Sequence, residues 1–246
     1  MEEREYSSEE LKLLKIENGF SWFTAIEDKL KEIFKYLPPV EENKNVYSGI
    51  NAALINEACS ILDSLFKYII GSDECKEIPN VEKYREKVRK NRINISDYRN
   101  LFENRWKLSK KKVFLTMNKR AYRPFLEFEG GESPSWWNNY QLIKHNRFDS
   151  TERATLDSSI QSVMAVFLVM CISNTFQKLL YRNGMLKSGI PVDYWGRQGD
   201  FFDDKTSDSF LLYVSRNFLF TPTRTLQDKN YEDIFSQIVD EGIMRA

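Results

Sequence analysis

The run IQSVMAVFLVMCI, from Ile160 to Ile172, is apolar on almost every side of a helix. A helix without a polar face must be surrounded by other elements, so we predict that this segment is the central, buried helix of the fold. Its most apolar part, Val163 to Ile172, is much shorter than the roughly 20 residues that span a bilayer. Asp149 and Glu152 have the spacing of a capping box, which predicts that the helix extends from Thr151 to about Arg182.

Most of the remaining chain is also predicted to be helical. Apolar residues recur at close to a 3.6-residue period from Leu11 to Leu37 and from Ile50 to Ile70, and Val81 to Trp106 is a third helical region. Ten glycines and seven prolines in 246 residues are few, which argues against an all-β sandwich with its many tight turns. We predict a mainly α fold with a small irregular or β insertion between Lys112 and Phe128.

The last quarter of the chain has a different pattern. After Gly184 the helical period is lost and glycine and proline become more frequent. We therefore predict a helical domain of residues 1–183 and a less regular C-terminal extension of residues 184–246 that packs on it. A short helix from Tyr231 to Met244 is expected to end the extension.

Charge and cysteine content restrict the class of protein. The formal net charge is zero, so total charge gives no sign of a nucleic-acid partner. Cys59, Cys75 and Cys171 lack the C-x-x-C spacing of a zinc site and are odd in number, which fits a reducing compartment. The N-terminal sequence MEEREYSSEE is acidic and has no apolar core, unlike a signal peptide. We expect a cytoplasmic protein with no membrane association.

Positive charge is concentrated between Arg85 and Arg123, where fourteen basic residues face three acidic ones. This segment predicts a surface that follows a nucleic-acid backbone. The residues assigned to it are Arg85, Arg89, Lys110, Lys111, Lys112, Arg120 and Arg123. Nearby aromatic residues that could stack on bases are Tyr98, Phe102, Trp106 and Tyr122. The alternative is an ordinary helix whose cations project into water.

The only histidine of the chain, His145, lies between Lys144 and Arg147, shortly after the pair Trp136–Trp137. A histidine side chain can give or take a proton near neutral pH, and neighbouring cations can hold a phosphate. These residue types suit metal-independent RNA cleavage, in which the 2′-hydroxyl attacks the adjacent phosphate. The competing interpretation is a packed amphipathic helix with a cationic polar side. We expect the two tryptophans to be core anchors.

The motif W-W-x-x-Y-x-x-I-K-H-x-R at residues 136–147, followed by A-T-L-x-S-S-I-x-S-V-M-A-V-F-L-V at residues 154–169, resembles an uncharacterised branch of the HEPN-like superfamily. The resemblance extends over roughly residues 51–182, and only residues 136–168 carry a specific motif. It implies that residues 1–183 form a HEPN-like helical bundle. It also implies a place in prokaryotic antiviral defence or toxin–antitoxin systems, with a homodimer or a partner protein from the same operon.

Many HEPN domains are metal-independent endoribonucleases whose signature is an arginine, four to six residues and a histidine, paired across a dimer. The resemblance makes His145 the general acid or base, with Lys144 and Arg147 holding the scissile phosphate of an RNA substrate. Asn139 takes the place of the polar residue that commonly follows the signature arginine. The arginine itself is missing, because residues 138–140 are Asn-Asn-Tyr. This departure leaves a second hypothesis open, a non-catalytic helical module that binds a partner protein or nucleic acid.

No cofactor or metal is predicted for either hypothesis. The chain lacks a Gly-rich phosphate loop, a dinucleotide-binding fingerprint and an H-E-x-x-H motif, and a single histidine cannot supply the usual zinc ligands. One acidic cluster, Asp200, Asp203, Asp204 and Asp208, has oxygen ligands that could hold magnesium or calcium. A solvated acidic loop is the ordinary alternative for this cluster.

Overall fold

A computed structural model of the chain describes residues 7–118, 120–187, 212–213, 217 and 220–222, and over these residues the fold is mainly α. The helices are α1 (Ser8–Tyr36), α2 (Gly49–Gly71), α3 (Val81–Arg89), α4 (Ile95–Trp106), α5 (Ser135–His145), α6 (Leu156–Ile172) and α7 (Asn174–Arg182). The strands are β1 (Val113–Leu115), β2 (Arg120–Tyr122), β3 (Leu186–Lys187), β4 (Leu212–Tyr213) and β5 (Phe220–Pro222). The predicted mainly α class is therefore confirmed.

Helix α6 is the centre of the fold, as its sequence predicts. All its residues except Asp157 and Gln161 are buried, and it packs against α1, α2, α5 and α7, most extensively against α2. Burial of a helix on all sides explains why it needs no polar face. None of the helices in the described residues combines the length and the apolar character that a membrane crossing requires.

The single helix predicted from Thr151 to about Arg182 is wrong at its start and is interrupted at Ser173, although its predicted end coincides with the end of α7. Thr151–Arg153 is a short 3-10 turn, and α6 begins after Thr155, whose Oγ1 accepts from the backbone N–H of Ser158 at 3.1 Å. The capping residue is thus Thr155, and the predicted box of Asp149 and Glu152 is not used. At the other end α6 stops before Ser173, and α7 starts as a separate helix.

The third predicted helical region, between Val81 and Trp106, contains two helices, α3 and α4. Asn91 has a φ of 50°, in the left-handed region that ends a helix. Asn94 then caps α4, because its Oδ1 accepts from the backbone N–H of Ser96 and of Asp97 at 3.0 and 3.1 Å. Asp97 Oδ2 accepts from the backbone N–H of Asn94 at 3.2 Å and completes a capping box.

The N-terminal helix α1 is continuous, and its two halves have different environments. Ser7 and Glu10 form a capping box at its start. Residues 8–18 are mostly exposed, and burial begins at Gly19 and continues with Phe23, Ile26 and Leu30. The C-terminal half of α1 therefore belongs to the core, whereas its N-terminal half extends along the surface.

The insertion predicted between α4 and α5 contains a small sheet. Strand β1 pairs antiparallel with β2 on one side and with β5 on the other, with Phe114 opposite both Ala121 and Thr221. Strands β3 and β4 form a second antiparallel pair. Residues 184–187, 212–213, 217 and 220–222 are the described parts of the predicted C-terminal extension, so the division at residue 184 stays a prediction. The helix predicted from Tyr231 to Met244 lies outside the described residues.

A continuous array of aromatic rings fills the core between α2, α4 and α5. Phe66 of α2 stacks on Tyr98 and Phe102 of α4 with ring centroids 4.6 and 5.1 Å apart. It also makes an edge contact at 6.4 Å with Phe125, which in turn meets Trp136 edge-on at 5.9 Å. Aromatic pairs in these geometries add about 0.5–1.5 kcal/mol each beyond burial. This array fixes the position of α5 relative to α2 and α4.

A carboxylate from outside α7 caps that helix. Glu74 accepts from Ser173 Oγ at 2.7 Å, from the backbone N–H of Asn174 and of Thr175 at 3.2 Å each, and from Thr175 Oγ1 at 2.8 Å. The first N–H groups of a helix have no partner inside the helix, and a negative charge there also interacts favourably with the helix dipole. Glu74 therefore explains why the chain starts a new helix after Ser173.

We expect Glu74→Ala to lower the free energy of unfolding by about 2–3 kcal/mol, because it removes a cap and leaves buried Ser173 without its acceptor. Urea denaturation at pH 7, followed by circular dichroism, measures the loss. Glu77→Ala is the matched control, since Glu77 is exposed on the same loop and should change stability by less than about 0.5 kcal/mol. Equal effects of the two substitutions would show that the Glu74 cap contributes nothing.

Candidate functional site at the end of α5

Helix α5 presents one buried face and leaves its C-terminal end exposed. The buried residues are Trp136, Trp137, Tyr140 and Ile143. Their spacing places them on adjoining stripes of one helical face, so the last residues, Lys144 and His145, lie beyond the packed part. Both tryptophans are core anchors, as predicted. Positive charges at this position are favoured because the C-terminal end of a helix carries partial negative charge.

Four side chains at this end, Lys144, His145, Arg147 and Phe148, are exposed, and we call them the α5 tip. Among the described residues, none forms a hydrogen bond or an ion pair with the side chain of His145 or Arg147. The amino group of Lys144 lies 5.4 Å from the centre of the Tyr140 ring, a cation–π contact that leaves the ammonium group in water. Phe148 is 96 % exposed. The tip thus offers three nitrogen-bearing side chains and one ring to a ligand.

The fourth predicted catalytic residue, Asn139, does not join the α5 tip. Its Nδ2 donates to Ser158 Oγ at 3.0 Å, and Thr155 Oγ1 donates to the same oxygen at 3.0 Å. Asn139 and His145 are six positions apart, which places them about 120° apart around the helix axis and about 9 Å apart along it. Asn139 therefore joins α5 to the start of α6, and the structure does not gather all four predicted residues into one cleft.

Most of the seven residues predicted to bind nucleic acid form hydrogen bonds or ion pairs with other residues of this chain. Arg85 donates to the backbone carbonyls of Ile70 and Ser72 at 3.0 and 2.9 Å, which ties α3 to the end of α2. Arg89 pairs with Glu86 at 3.1 Å on the exposed side of α3. Arg85 is therefore a structural residue. Arg89 belongs to an ordinary surface ion pair, which contributes little to stability.

Carboxylates from outside the basic segment neutralise three more of these cations. Glu129 pairs with Lys110 and Arg123, and these contacts, first the hydrogen bond from Lys110, lower the pKa of the Glu129 carboxyl. Glu41 pairs with Arg120 at 2.6 Å, and its pKa is lowered mainly by the hydrogen bond from Lys44 and further by Arg120. The charge excess of the segment is thus smaller in the fold than in the sequence.

The last two cations of this group and the four aromatic residues assigned to base stacking are less accessible. Lys111 is buried and Lys112 is half-buried. The aromatic residues are all buried in the core, at 0 % exposure for Tyr98 and Phe102, 4 % for Trp106 and 7 % for Tyr122. The expectation that these rings stack on bases is wrong, because they pack in the aromatic array or against the small sheet. Nucleic-acid binding by the seven cations stays a prediction.

The described residues offer no thiol nucleophile and no metal site. Cys59, Cys75 and Cys171 are all buried, and burial raises the pKa of each thiol, for Cys75 to about 12. A thiol held in the neutral form is a poor nucleophile. No group of three acidic, cysteine or histidine side chains in the described part of the chain could hold a metal ion. The acidic cluster of residues 200–208 lies outside it.

Phe148 is the residue of the α5 tip that sequence reasoning missed. Its signal is present in the stretch KHNRFD, where a single aromatic residue follows three nitrogen-bearing side chains and precedes an aspartate. Aromatic residues are frequent in this chain and most of them lie in the core. Only the path of the loop after α5 shows that this ring faces water.

Comparison of the chain with models of protein families, with curated proteins and with solved structures found no match. The resemblance to HEPN-like proteins therefore rests on the sequence motif of residues 136–168 alone.

Proposed function

We propose that this chain is a HEPN-type helical protein that binds RNA through the α5 tip and cleaves it without a metal. One observation carries the proposal. Lys144, His145, Arg147 and Phe148 are all exposed, and no described residue forms an ion pair with the three nitrogen-bearing side chains. The seven cations predicted to bind nucleic acid contrast with them, since five of the seven are paired with carboxylates. Available cations beside an exposed ring suit a phosphate backbone with unstacked bases.

The proposed chemistry needs one proton acceptor and one proton donor. The 2′-hydroxyl loses its proton to a base, its oxygen attacks the adjacent phosphorus, and the bond from phosphorus to the 5′-oxygen breaks as an acid protonates the leaving oxygen. His145 supplies one of these roles, and Lys144 with Arg147 stabilises the charge on the phosphate oxygens. As each chain has one histidine, a homodimer that brings two copies of His145 together would supply both roles.

The second candidate function is a non-catalytic module that binds RNA or an operon partner protein in a defence or toxin–antitoxin assembly. It is supported by the position of Asn139, which is bonded to Ser158 and turned away from the α5 tip. The missing signature arginine points in the same direction. In this case the α5 tip binds without cleaving.

The test of the nuclease is cleavage of a mixed tRNA and mRNA pool in EDTA by the wild type and by His145→Ala. We expect metal-independent cutting that falls by about 10²–10⁴-fold in the variant, the usual contribution of a general acid or base. Asn146→Ala, which changes an exposed neighbour, should leave the rate unchanged. No cutting by the wild type, with RNA binding intact, would favour the non-catalytic module. Equal cutting by wild type and His145→Ala would exclude His145 as the acid–base residue.

Binding is predicted to depend on the α5 tip even in the absence of cleavage. Lys144→Ala and Arg147→Ala should each weaken binding to a single-stranded RNA and reduce the dependence of the affinity on salt by about one phosphate contact. Phe148→Ala should cost about 1–3 kcal/mol of binding free energy by removing a stacked base. Fluorescence anisotropy at several salt concentrations measures both effects.

Lys83→Ala is the matched charge control for binding. Lys83 is exposed on α3, and none of the described residues pairs with it. If Lys83→Ala weakens binding as much as the tip variants do, then the contact is a diffuse charge effect. In that case the α5 tip is not the interface.

A further inference from the structure

A surface groove lies between α1, α2 and α7, and none of the α5 tip residues lines it. Its floor is formed by Gly19, Leu65 and Phe176, and its rim by Lys15, Trp22 and Tyr68. The space measures about 170 Å³. An apolar cavity of roughly 150 Å³ is enough to hold benzene, so the groove can take one aromatic side chain. A Cβ at residue 19 would lie 3.3 Å from Phe176 Cε1, so glycine there keeps the floor open.

The apolar surface continues from the groove along the N-terminal half of α1. Leu11 is 45 % exposed, Leu14 36 % and Trp22 50 %. With Asn18 these residues form one stripe at helical spacing, i, i+3, i+7 and i+11. Packing another element against an exposed apolar stripe stabilises the helix that carries it. The stripe is about 16 Å long, which matches about three turns of a docked helix.

We propose that residues 231–244 of the same chain occupy this groove. The segment, YEDIFSQIVDEGIM, lies outside the described residues, and its sequence repeats apolar residues at the spacing of an amphipathic helix: Tyr231, Ile234, Phe235, Ile238 and Val239. It carries four acidic residues and no basic one. Lys15, on the rim of the groove, is exposed and can pair with one of these carboxylates. Phe235 is the ring that fits the floor of the groove.

The described part of the C-terminal extension lies close enough to α1 for residues 231–244 to reach the groove. Asn217 lies against α1, since its backbone N–H donates to Glu27 at 3.2 Å and its side chain to Asp28 Oδ1 at 2.7 Å. Asp28 is only about 9 Å along the helix axis from Trp22. Strand β5 ends at Pro222, and the eight residues between it and Tyr231 can span about 30 Å. The length of chain thus allows docking within one molecule.

Thiol reactivity tests the proposal on the full chain. Ser64 is exposed and lines the groove, whereas Ser60 is exposed one turn earlier on α2 and does not line it. The three native cysteines are buried, so Ser64→Cys and Ser60→Cys each add one accessible thiol. The short linker of residues 223–230 gives residues 231–244 an effective concentration at the groove on the order of millimolar, so the docked segment should shield a thiol at residue 64. We therefore expect a maleimide to modify Ser64→Cys about tenfold more slowly than Ser60→Cys.

Variants of the segment identify the occupant. Ile238→Asp places a charge on its apolar side, and we expect it to raise the rate at Ser64→Cys by about tenfold while leaving Ser60→Cys unchanged. Phe235→Ala should act in the same direction and serves as the second variant if the first does not fold. Equal rates at the two positions, or no response to either variant, would overturn the proposal. Protection of Ser64→Cys that increases with protein concentration would also overturn it, since a second copy would then be the occupant.

Discussion

Replacing Trp136 with alanine is expected to lower the free energy of unfolding by about 3–5 kcal/mol, the usual cost of removing a large aromatic side chain from a core. Trp136 is fully buried, and its indole N–H donates to the carbonyl of Pro124 at 2.6 Å. The substitution therefore removes packing and also leaves a buried carbonyl without its donor. Domains are commonly stable by only about 5–15 kcal/mol, so this single change removes a large part of the total.

Two further variants separate the causes. Trp136→Phe keeps a ring but cannot donate to Pro124, and we expect it to cost about 1–2 kcal/mol. Phe148→Ala, which removes a ring that is 96 % exposed, should cost less than about 0.5 kcal/mol. Urea denaturation at pH 7 measures all three. A loss for Trp136→Ala no larger than that for Phe148→Ala would mean that the aromatic array does not hold α5 in place.

The second large effect is a loss of stability at alkaline pH. Burial raises the pKa of the thiols of Cys59, Cys75 and Cys171. Burial also raises the pKa of Tyr98, with a contribution from its hydrogen bond to Asp63, and that of Tyr122 to about 12. These groups stay protonated in the folded chain and ionise in the unfolded chain at their ordinary pKa values, about 8.5 for cysteine and about 10 for tyrosine.

The sign follows from proton binding. Below about pH 8 both states hold these protons and stability does not change on their account, whereas above it the folded state binds more protons and stability falls as pH rises. Each group contributes about 1.4 kcal/mol per pH unit. The three thiols together therefore give a slope of about 4 kcal/mol per unit above pH 9, and the tyrosines steepen it above pH 10.

Urea denaturation at half-unit steps from pH 7 to pH 10.5 measures this slope. Cys171→Ala is the informative variant, because it removes one titrating group that is fully buried in α6. It should lower stability at pH 7 through lost packing and also reduce the alkaline slope by about 1.4 kcal/mol per pH unit. A slope that is the same in the wild type and the variant would show that Cys171 ionises equally in both states.

Local patterns predicted several elements correctly. The apolar run of α6 marked the central helix because a helix without a polar face has only one environment that suits it. The helical period from Leu11 to Leu37 predicted α1, since apolar residues at that spacing lie on one face of a helix. The roles of Trp136 and Trp137 as anchors also followed from the sequence. In each case the decisive interaction lies within one or two helical turns, or the residue type itself requires burial.

Predictions that depended on distant partners were less accurate. The break between α6 and α7 depends on the carboxylate of Glu74, about a hundred positions earlier in the chain. The cations of the basic segment looked available for nucleic acid, but Glu41 and Glu129 pair with three of them from outside the segment. A charge count along the chain cannot include such partners, because it treats only neighbours in sequence.

The sequence alone determined the helical class, the central helix and the position of the cationic stretch around His145. Only the tertiary structure decided which cations stay available, that Asn139 faces Ser158 and that Phe148 faces water. The physical reason is that helical periods and caps arise from contacts within a few residues, whereas exposure and ion pairing depend on which surfaces meet after folding. The candidate site was therefore visible as a motif, and its accessible atoms became visible only in the packed helices.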